Sequence, residues 1–352
     1  MSDKSKTLVI LTPGFAKDES DTTCLPMQQF FISCLNRMVP HLTIIILAFQ
    51  YPYEKKTYKW RGNTVISFNG RNRGGISKFF LFRKWNAAIK KIHREHKIDG
   101  LLSFWYAECA LAGKRFGDKH HVKHYCWMWG QDAKKSNKYV SLAKLHPGEI
   151  IVFSDFMQSE FEKNHGIRPH HVITPGIDIN DFPFKNVKRD IDIIGAGSLI
   201  PLKQYDIFIQ VIAEVKQHFP QIKAVLIGDG PEKQNLQSQI ASAGLQSNIT
   251  LTGELQHPDV LEWMQRGKVF LHPSSYEGFG IVCLEALCAG LEVISFVRPM
   301  NKEIENWHTV PGKEEMTQQV IGILKKPGLE YKSVVPYSIE ESVQKMMHLF
   351  SL

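Results

Sequence analysis

Short apolar runs alternate with segments of helical periodicity along almost the whole chain. Most of these runs are continuously apolar, which is typical of strands buried on both faces of a parallel sheet. The predicted strands are 7–11, 42–49, 99–104, 150–153, 191–194, 224–227, 269–271 and 292–296. The predicted helices include 27–38, 78–96, 206–218, 232–243 and 281–289. Strands that alternate with helices in this order predict an α/β protein.

The alternation is interrupted at one polar segment, 176–189. Because 352 residues are too many for one ordinary core, the chain suits two domains. We predict an N-terminal domain over 1–175, a linker over 176–189 and a C-terminal domain over 190–335. A last helix is predicted over 336–352, where apolar residues recur at helical spacing. Both domains are predicted to be Rossmann-like and doubly wound, and to face a cleft where ligands bind beyond the carboxyl ends of the strands.

Apolar length argues against a membrane-spanning segment. The longest apolar run, 42–49, has eight residues, whereas a spanning helix needs about 20. The N-terminal apolar stretch is too short for a signal peptide, and the six cysteines form no CxxC pair. We therefore expect a cytoplasmic protein with reduced cysteines, either soluble or peripheral on the inner face of a membrane.

Charge is divided unevenly between the two halves. Residues 1–176 hold 27 basic and 14 acidic residues, and the remainder hold 16 and 21. Thirteen basic residues lie within 55–97, against Glu95 alone. This excess fits an anionic membrane surface or a phosphate-bearing acceptor, and a solvated basic face without a specific ligand fits it as well. The stretch matches no nucleic-acid-binding signature, so no nucleic-acid partner is expected.

The segment 272–286 carries the most informative chemistry. Two glycines, Gly278 and Gly280, mark a sharp turn between a predicted strand and a predicted helix, whose N-terminus forms an anion site. Glu277 and Glu285 flank this turn eight positions apart, about 12 Å along a helix, which is too far for a hydrolase carboxylate pair. They could hold two hydroxyl-bearing parts of one ligand around an anionic group, as in a nucleotide sugar. On spacing alone, the favoured interpretation is a glutamate in the N-terminal turn of the helix together with an exposed helical glutamate.

Five segments together resemble the motifs of retaining glycosyltransferases of the family 4 type. Segment 272–286 resembles their E-x7-E signature, and the other four resemble, in order, an NGVD hinge, a GRL-x-x-x-K loop, a GDGP turn and an L/F-x-G strand end. These four segments are 175–178, 195–203, 228–232 and 251–253. The order and separations agree across 150–300, and in the first half the resemblance rests on strand–helix order. Membership implies the GT-B fold, a nucleoside-diphosphate sugar as donor, expected to be UDP-linked, and transfer to a glycan or lipid-linked acceptor with retention of configuration.

The resemblance also implies roles for individual residues. Lys203 and Ser198 lie in the loop expected to bind the donor diphosphate, and Lys203 would stabilise the charge that develops on it. Glu277 would accept hydrogen bonds from the donor sugar, and Glu285 from the ribose. The distal phosphate and the sugar would be bound by the backbone N–H groups of Phe279, Gly280 and Ile281. Glu277 and Lys203 are the expected catalytic residues.

The chain departs from the family pattern at two positions. Ser198 stands where an arginine is usual, and Trp129 stands where a histidine is expected near the donor sugar. A sugar-nucleotide-binding protein without catalysis therefore remains an alternative, as does a nucleotide-sugar 2-epimerase on the same scaffold. Asp190 and Asp192 mimic a metal-binding DxD triplet, but the GT-B interpretation needs no metal, so neither a metal nor a cofactor is expected.

Overall fold

The structure is a computed structural model that describes residues 6–182, 184–185 and 187–352. It divides into two compact units. The first unit runs to Pro175 and also contains Ile339–Leu352, and the second is Gly176–Ser338. The segment predicted as a linker, 176–189, is thus assigned to the second unit, although its positions 183 and 186 lie outside the described residues. The last helix is assigned to the first unit.

The helices and strands follow the hydrophobic pattern closely. The strands are β1 (Thr7–Gly14), β2 (Thr43–Tyr51), β3 (Thr57–Trp60), β4 (Asn63–Ser67), β5 (Gly100–Phe104), β6 (Lys123–Trp127), β7 (Ile150–Val152), β8 (His171–Val172), β9 (Ile191–Ala196), β10 (Ala224–Ile227), β11 (Ile249–Gly253), β12 (Gly267–His272), β13 (Glu292–Ser295) and β14 (Trp307–Thr309). The helices are α1 (Pro26–Met38), α2 (Ile76–His96), α3 (Glu108–His120), α4 (Tyr139–Ala143), α5 (Asp155–His165), α6 (Tyr205–Val215), α7 (Lys233–Ser242), α8 (His257–Gln265), α9 (Ile281–Cys288), α10 (Lys313–Lys325) and α11 (Ile339–Phe350). The prediction of an α/β protein is confirmed.

The sheet of the first unit has the strand order β3-β4-β2-β1-β5-β6-β7-β8. Its strands pair in parallel except for β3, which forms an antiparallel edge hairpin with β4. The central strands β1 and β2 are buried and apolar, as strands covered on both faces must be. The order in which the strands follow the chain reverses between β1 and β5, so the topological switch point of the sheet lies between these two strands.

Helix α2 buries one face and exposes another. Leu81, Trp85 and Ile89 recur four residues apart and pack into the core with the strands β1 and β2. Phe79 and Phe80, at the start of the helix, are instead 60% and 54% exposed. The aromatic residues of this helix therefore divide into core residues and surface residues.

The sheet of the second unit is parallel and has the order β11-β10-β9-β12-β13-β14. This is the strand order of a dinucleotide-binding fold, in which direction reverses between the first and fourth strands. Here the reversal lies between β9 and β12, which pair directly through Val269 and Ile193. Loops that follow β9 and β12 are consequently expected to meet at the carboxyl edge of this sheet.

Helix α11 belongs to the first unit and packs against α1. Its apolar residues Ile339, Val343, Met346 and Phe350 are buried, as their helical spacing predicts. Among the described residues, no helix is long and apolar enough to cross a membrane.

Candidate functional site

The loop after β9 is shaped by glycines. Gly197 has φ +148° and Gly228 has φ +141°, and a side chain at Gly228 would overlap the carbonyl oxygen of Gly197. Both φ values favour glycine, and at Gly228 the two loops also pass backbone against backbone. The contact is held by the Leu199 amide, which donates to the Asp229 carbonyl at 2.9 Å. The GDGP-like turn thus supports the loop that leads to Lys203.

The loop after β12 is tied to the loop after β9. The Ser275 amide donates to the Leu202 carbonyl at 3.0 Å, and the Ser274 hydroxyl donates to the same oxygen at 3.2 Å. Since Leu202 precedes Lys203, these bonds fix the position of Lys203 relative to the turn that carries Glu277. The two loops meet at the switch point of the sheet, where ligands of such sheets bind.

Lys203 and Glu277 form an ion pair, although 74 residues separate them. The acceptor is Glu277 Oε1, which also lies 2.8 Å from His272 Nε2. Both members of the ion pair are largely buried, with 18% and 16% of their side chains exposed. The sequence therefore brings together a cation, a carboxylate and an imidazole at one edge of the sheet.

The electrostatics of this cluster fix the charge of each group. Burial would raise the pKa of Glu277, but the hydrogen bond from His272 and the charge of Lys203 outweigh it and lower the pKa to about 2. Burial lowers the pKa of His272 despite the contact with Glu277, so the imidazole is neutral near pH 7. A neutral ring that donates from Nε2 carries a bare acceptor at Nδ1, and this buried atom has no partner among the described residues. Glu277 is therefore an ionised hydrogen-bond acceptor.

Helix α9 begins directly after this cluster. Its N-cap is Gly280, which has φ +83° and no side-chain cap. Within the described part of the chain, no acceptor is found for the backbone N–H groups of Phe279, Gly280 and Ile281. These groups and the positive end of the helix dipole form a site for an anionic group.

The second glutamate, Glu285, is also held by a histidine. His257 Nε2 lies 2.7 Å from Glu285 Oε1, and both side chains are largely buried. His257 is the first residue of α8, while Glu285 lies in α9. Burial lowers the pKa of His257, but the charge of Glu285 and its hydrogen bond outweigh that effect and raise it. Each glutamate of the E-x7-E pair thus has a histidine partner.

Two further predicted site residues, Phe279 and Ser198, offer a ligand less than their motif positions suggest. The Phe279 side chain is buried against Trp307 and Tyr337, with ring centroids 6.1 and 5.7 Å away, so only its backbone can serve a ligand. Ser198 is exposed, and its hydroxyl makes no hydrogen bond among the residues that the structure describes. Ser198 therefore supplies no charge in place of the arginine that the family pattern leads one to expect.

The prediction missed three residues of this site, His257, His272 and Tyr205. His272 could have been found, because it ends the strand that leads into the motif. His257 carries no spacing signal, since only the fold brings it to Glu285. The Tyr205 hydroxyl is buried without a partner among the described residues, and burial and the charge of Glu277 raise its pKa.

The two aspartates of the triplet that mimics a metal site form ion pairs with basic side chains. Asp190 pairs with Arg266 at 2.9 Å, and Asp192 pairs with Lys268 at 2.7 Å. In the ranges described, no group of three or more histidine, cysteine, aspartate or glutamate side chains could hold a metal ion.

Residues 177–330 match the family described as glycosyl transferases group 1. The matched residues make up most of the second unit, which is similar to this family and is called the group 1 domain. Over 113 residues, 32% of its length, the chain is 35% identical to the phosphatidylinositol N-acetylglucosaminyltransferase gpi3 subunit of Schizosaccharomyces pombe. The chain spans only about a quarter to a third of the length of the first curated relatives, 25% in this case and 36% in the next.

Solved structures resemble the chain over its whole length. A glycosyltransferase from Rickettsia africae has a TM-score of 0.75 at 13% identity, covering 98% of both chains. HepE from Anabaena, solved with UDP and glucose, has a TM-score of 0.68 at 17% identity, covering 97% of this chain and 95% of its own. These similarities show the fold, so the chain has the predicted GT-B fold, and the group 1 domain is its C-terminal unit.

Proposed function

We propose that this protein is a retaining glycosyltransferase that transfers a sugar from a UDP-linked donor to a glycan or lipid-linked acceptor. The observation that carries the proposal is the pairing of Lys203 with Glu277 at the switch point of the group 1 domain, directly before the free N-terminus of α9. A cation, an ionised carboxylate and an anion site in this order match the parts of a nucleotide sugar.

The donor would be bound through three kinds of contact. Lys203 and the backbone N–H groups of Phe279, Gly280 and Ile281 would receive the diphosphate. Glu277 would accept from hydroxyl groups of the sugar, and Glu285 would accept from those of the ribose. Each hydrogen bond to a charged group is worth about 1.5–3 kcal/mol. The ion pair between Lys203 and Glu277 would open when the donor arrives, because the diphosphate competes for Lys203.

The chemistry would rest on leaving-group stabilisation. As the bond between the anomeric carbon and the diphosphate breaks, negative charge grows on the phosphate oxygen, where Lys203 and the N-terminus of α9 stabilise it. The acceptor oxygen forms the new bond to the anomeric carbon. Its proton passes to the departing diphosphate, so no protein base is required. The Lys203 charge takes the place of a metal ion in this scheme.

The names of the relatives guide the choice of substrates. The fission yeast relative is named a phosphatidylinositol N-acetylglucosaminyltransferase, and HepE was solved with UDP. UDP-N-acetylglucosamine is therefore the first donor to test, and a lipid-linked acceptor is the first acceptor class. The exposed Phe79 and Phe80 in the basic region 55–97 support a peripheral position on an anionic membrane surface.

Thermal shift with nucleotides and nucleotide sugars tests the proposal. The expected result is a higher melting temperature with one nucleoside-diphosphate sugar, followed by slow release of free sugar and nucleotide during long incubation without acceptor. No shift with any UDP-, GDP- or ADP-linked sugar would contradict the donor assignment. Binding without any release or transfer would favour a non-catalytic sugar-nucleotide-binding protein.

A further inference from the structure

Two tryptophans stack at the carboxyl edge of the first unit's sheet. The indole rings of Trp105 and Trp129 are 4.3 Å apart between centroids and 9° from parallel. Trp105 is the first residue after β5, and Trp129 follows β6 by two positions. Because the order of this sheet reverses between β1 and β5, Trp105 lies at its switch point. In such sheets that edge is the ordinary place for a ligand.

This arrangement has a local cost that packing alone does not explain. Trp105 adopts a left-handed backbone conformation with φ +71°, which is unfavourable for a bulky residue. The Trp129 indole N–H is buried with no hydrogen-bond partner among the residues described. Strained backbone and unpaired buried polar groups concentrate at functional sites, where the surrounding structure holds them.

The surroundings hold the pair rigidly. One carboxylate oxygen, Asp132 Oδ2, accepts from the backbone N–H of Trp129 at 2.9 Å and from that of Tyr106 at 2.8 Å. This single group therefore fixes the chain beside both indoles. Trp129 also packs edge-on against Phe153, with ring centroids 5.1 Å apart. Trp105 contacts no other aromatic ring among the described residues and is partly exposed.

Polar groups lie next to the stacked pair in the chain. Glu108, three residues after Trp105, begins α3 and accepts from the Tyr139 hydroxyl at 2.8 Å on Oε1. Lys78 pairs with the same carboxylate. Burial would raise the pKa of Glu108, but the Lys78 hydrogen bond and the other contacts outweigh it and lower the pKa, so the group is ionised. A flat aromatic surface and an ionised acceptor, the two features that a sugar ring requires, thus lie three residues apart in the chain at the end of β5.

We propose that the Trp105–Trp129 pair is a stacking platform for a pyranose ring. The apolar C–H face of the ring would lie on the electron-rich face of Trp105, and a ring hydroxyl would donate to Glu108. A nucleobase also stacks on indole, so the test below includes uridine to distinguish a base from a sugar. This inference rests on the proposed glycosyl transfer and names a sugar subsite in the first unit.

Binding of methyl glycosides in the absence of nucleotide tests the platform. Saturation-transfer NMR with the methyl glycosides of glucose, galactose, mannose and N-acetylglucosamine should show transfer to the ring protons of at least one sugar. Trp105→Gly suits the left-handed backbone and should weaken that binding at least tenfold. Trp105→Phe should restore part of it. Trp263→Ala, which removes a partly exposed tryptophan of the group 1 domain, is the matched control and should bind like the wild type.

The outcomes separate this proposal from the function proposed above. If the NMR signal of the glycoside persists with saturating UDP-N-acetylglucosamine, the bound sugar is an acceptor sugar. If the signal disappears, the bound sugar occupies the donor-sugar position. Either result supports the platform. The methyl glycosides carry no nucleotide, so a failure of nucleotide binding does not affect this experiment. The proposal would be overturned if wild type and a folded Trp105→Gly variant gave equal NMR signals. It would also be overturned if no glycoside gave a saturation-transfer signal, or if uridine alone did. Circular dichroism and the melting temperature establish that the variant is folded.

Discussion

Glu277 Oε1 lies 2.8 Å from the Nε2 atom of His272, five residues before it, at the point where β12 gives way to the turn. The same oxygen receives Lys203 from a different loop. One carboxylate oxygen therefore contacts both a neutral donor and a cation, and Glu277 Oε2 is the oxygen that we propose accepts from a sugar hydroxyl. This arrangement explains why replacing Lys203 should affect donor binding and turnover differently from replacing Glu277.

Replacing Lys203 by alanine should weaken binding of the nucleotide sugar and of the free nucleotide diphosphate. The variant loses a charge-assisted contact worth about 1.5–3 kcal/mol, which corresponds to roughly 10- to 150-fold in the dissociation constant. Isothermal titration calorimetry measures this change directly. Lys216→Ala is the matched control, because Lys216 is a partly exposed lysine of the same unit that donates to a backbone carbonyl. Equal affinities in the two variants would contradict the assignment of Lys203.

The two glutamates should differ in kinetic effect. Glu277→Gln keeps the shape of the side chain but removes the charge of the acceptor that we propose lies near the reacting carbon, so it should lower turnover by at least tenfold. Glu285→Gln should mainly raise the Michaelis constant for the donor, because ribose contacts are the same in the ground and transition states. Steady-state kinetics with varied donor separates these effects. If both variants changed only the Michaelis constant, Glu277 would be a binding residue and not a catalytic one.

The sequence predicted the two loops that carry Lys203 and Glu277, but not all of the contacts around these residues, for physical reasons. Continuous apolar runs are easy to identify in a sequence, so β9, β12 and the loops that follow them can be predicted. The hairpin of β3 and β4 was missed because its strands are short and rich in polar residues at the sheet edge. His257 was missed because its partner Glu285 is 28 residues away, and only the packing of α8 near α9 brings them together.

His257 should position Glu285 for the ribose. His257→Ala should weaken donor affinity several-fold with little change in turnover, and His257→Gln should restore part of it by supplying an N–H near the Nε2 position. His308→Ala is the matched control, because His308 Nε2 lies 2.6 Å from Glu292 Oε2 in the same kind of pair. Donor titrations of the three variants make the comparison. Loss of affinity with alanine and glutamine alike, or with His308→Ala as well, would contradict a specific positioning role.

The same histidine predicts a pH dependence of stability. The contact with Glu285 raises the pKa of His257 above its ordinary value of 6.5, although burial opposes it. A group whose pKa is raised on folding contributes its full stabilisation below the unfolded pKa and loses it as pH rises through the folded pKa. The difference in unfolding free energy between wild type and His257→Gln should therefore shrink as pH rises from 6 through the folded pKa. Urea unfolding at several pH values measures it, and a constant difference would show that the ion pair does not stabilise the fold.

Transfer should not require a divalent metal. Lys203 and the N-terminus of α9 are expected to balance the diphosphate charge in place of a cation. Incubation with EDTA followed by gel filtration should leave the initial rate within about twofold of the untreated rate, which an assay of nucleotide release measures. A rate that collapses with EDTA and returns with Mg²⁺ or Mn²⁺ would require a metal ion in the mechanism.

The protein should bind acidic vesicles through the start of α2. Phe79 and Phe80 are exposed, and Arg83 lies over the Phe79 ring at 5.9 Å from its centroid. Inserting a phenylalanine contributes about 1.5–3 kcal/mol, and each basic residue near an acidic surface adds about 1 kcal/mol. Co-sedimentation with phosphatidylserine-containing vesicles should therefore exceed that with neutral vesicles. It should fall with salt, because the attraction is screened over about 8 Å at physiological ionic strength.

The double variant Phe79→Ala, Phe80→Ala separates insertion from charge attraction. It keeps every basic residue of 55–97, so it should retain weak, salt-sensitive binding and lose the binding that persists at moderate salt. Phe184→Ala is the matched control, because Phe184 is 51% exposed and lies in the other unit. Leu81 and Trp85 are left intact because they are core residues whose loss would unfold the helix. If the double variant bound as the wild type does at every salt concentration, the aromatic residues would have no part in attachment. Equal binding of the wild type to neutral and acidic vesicles would exclude the charged region as well.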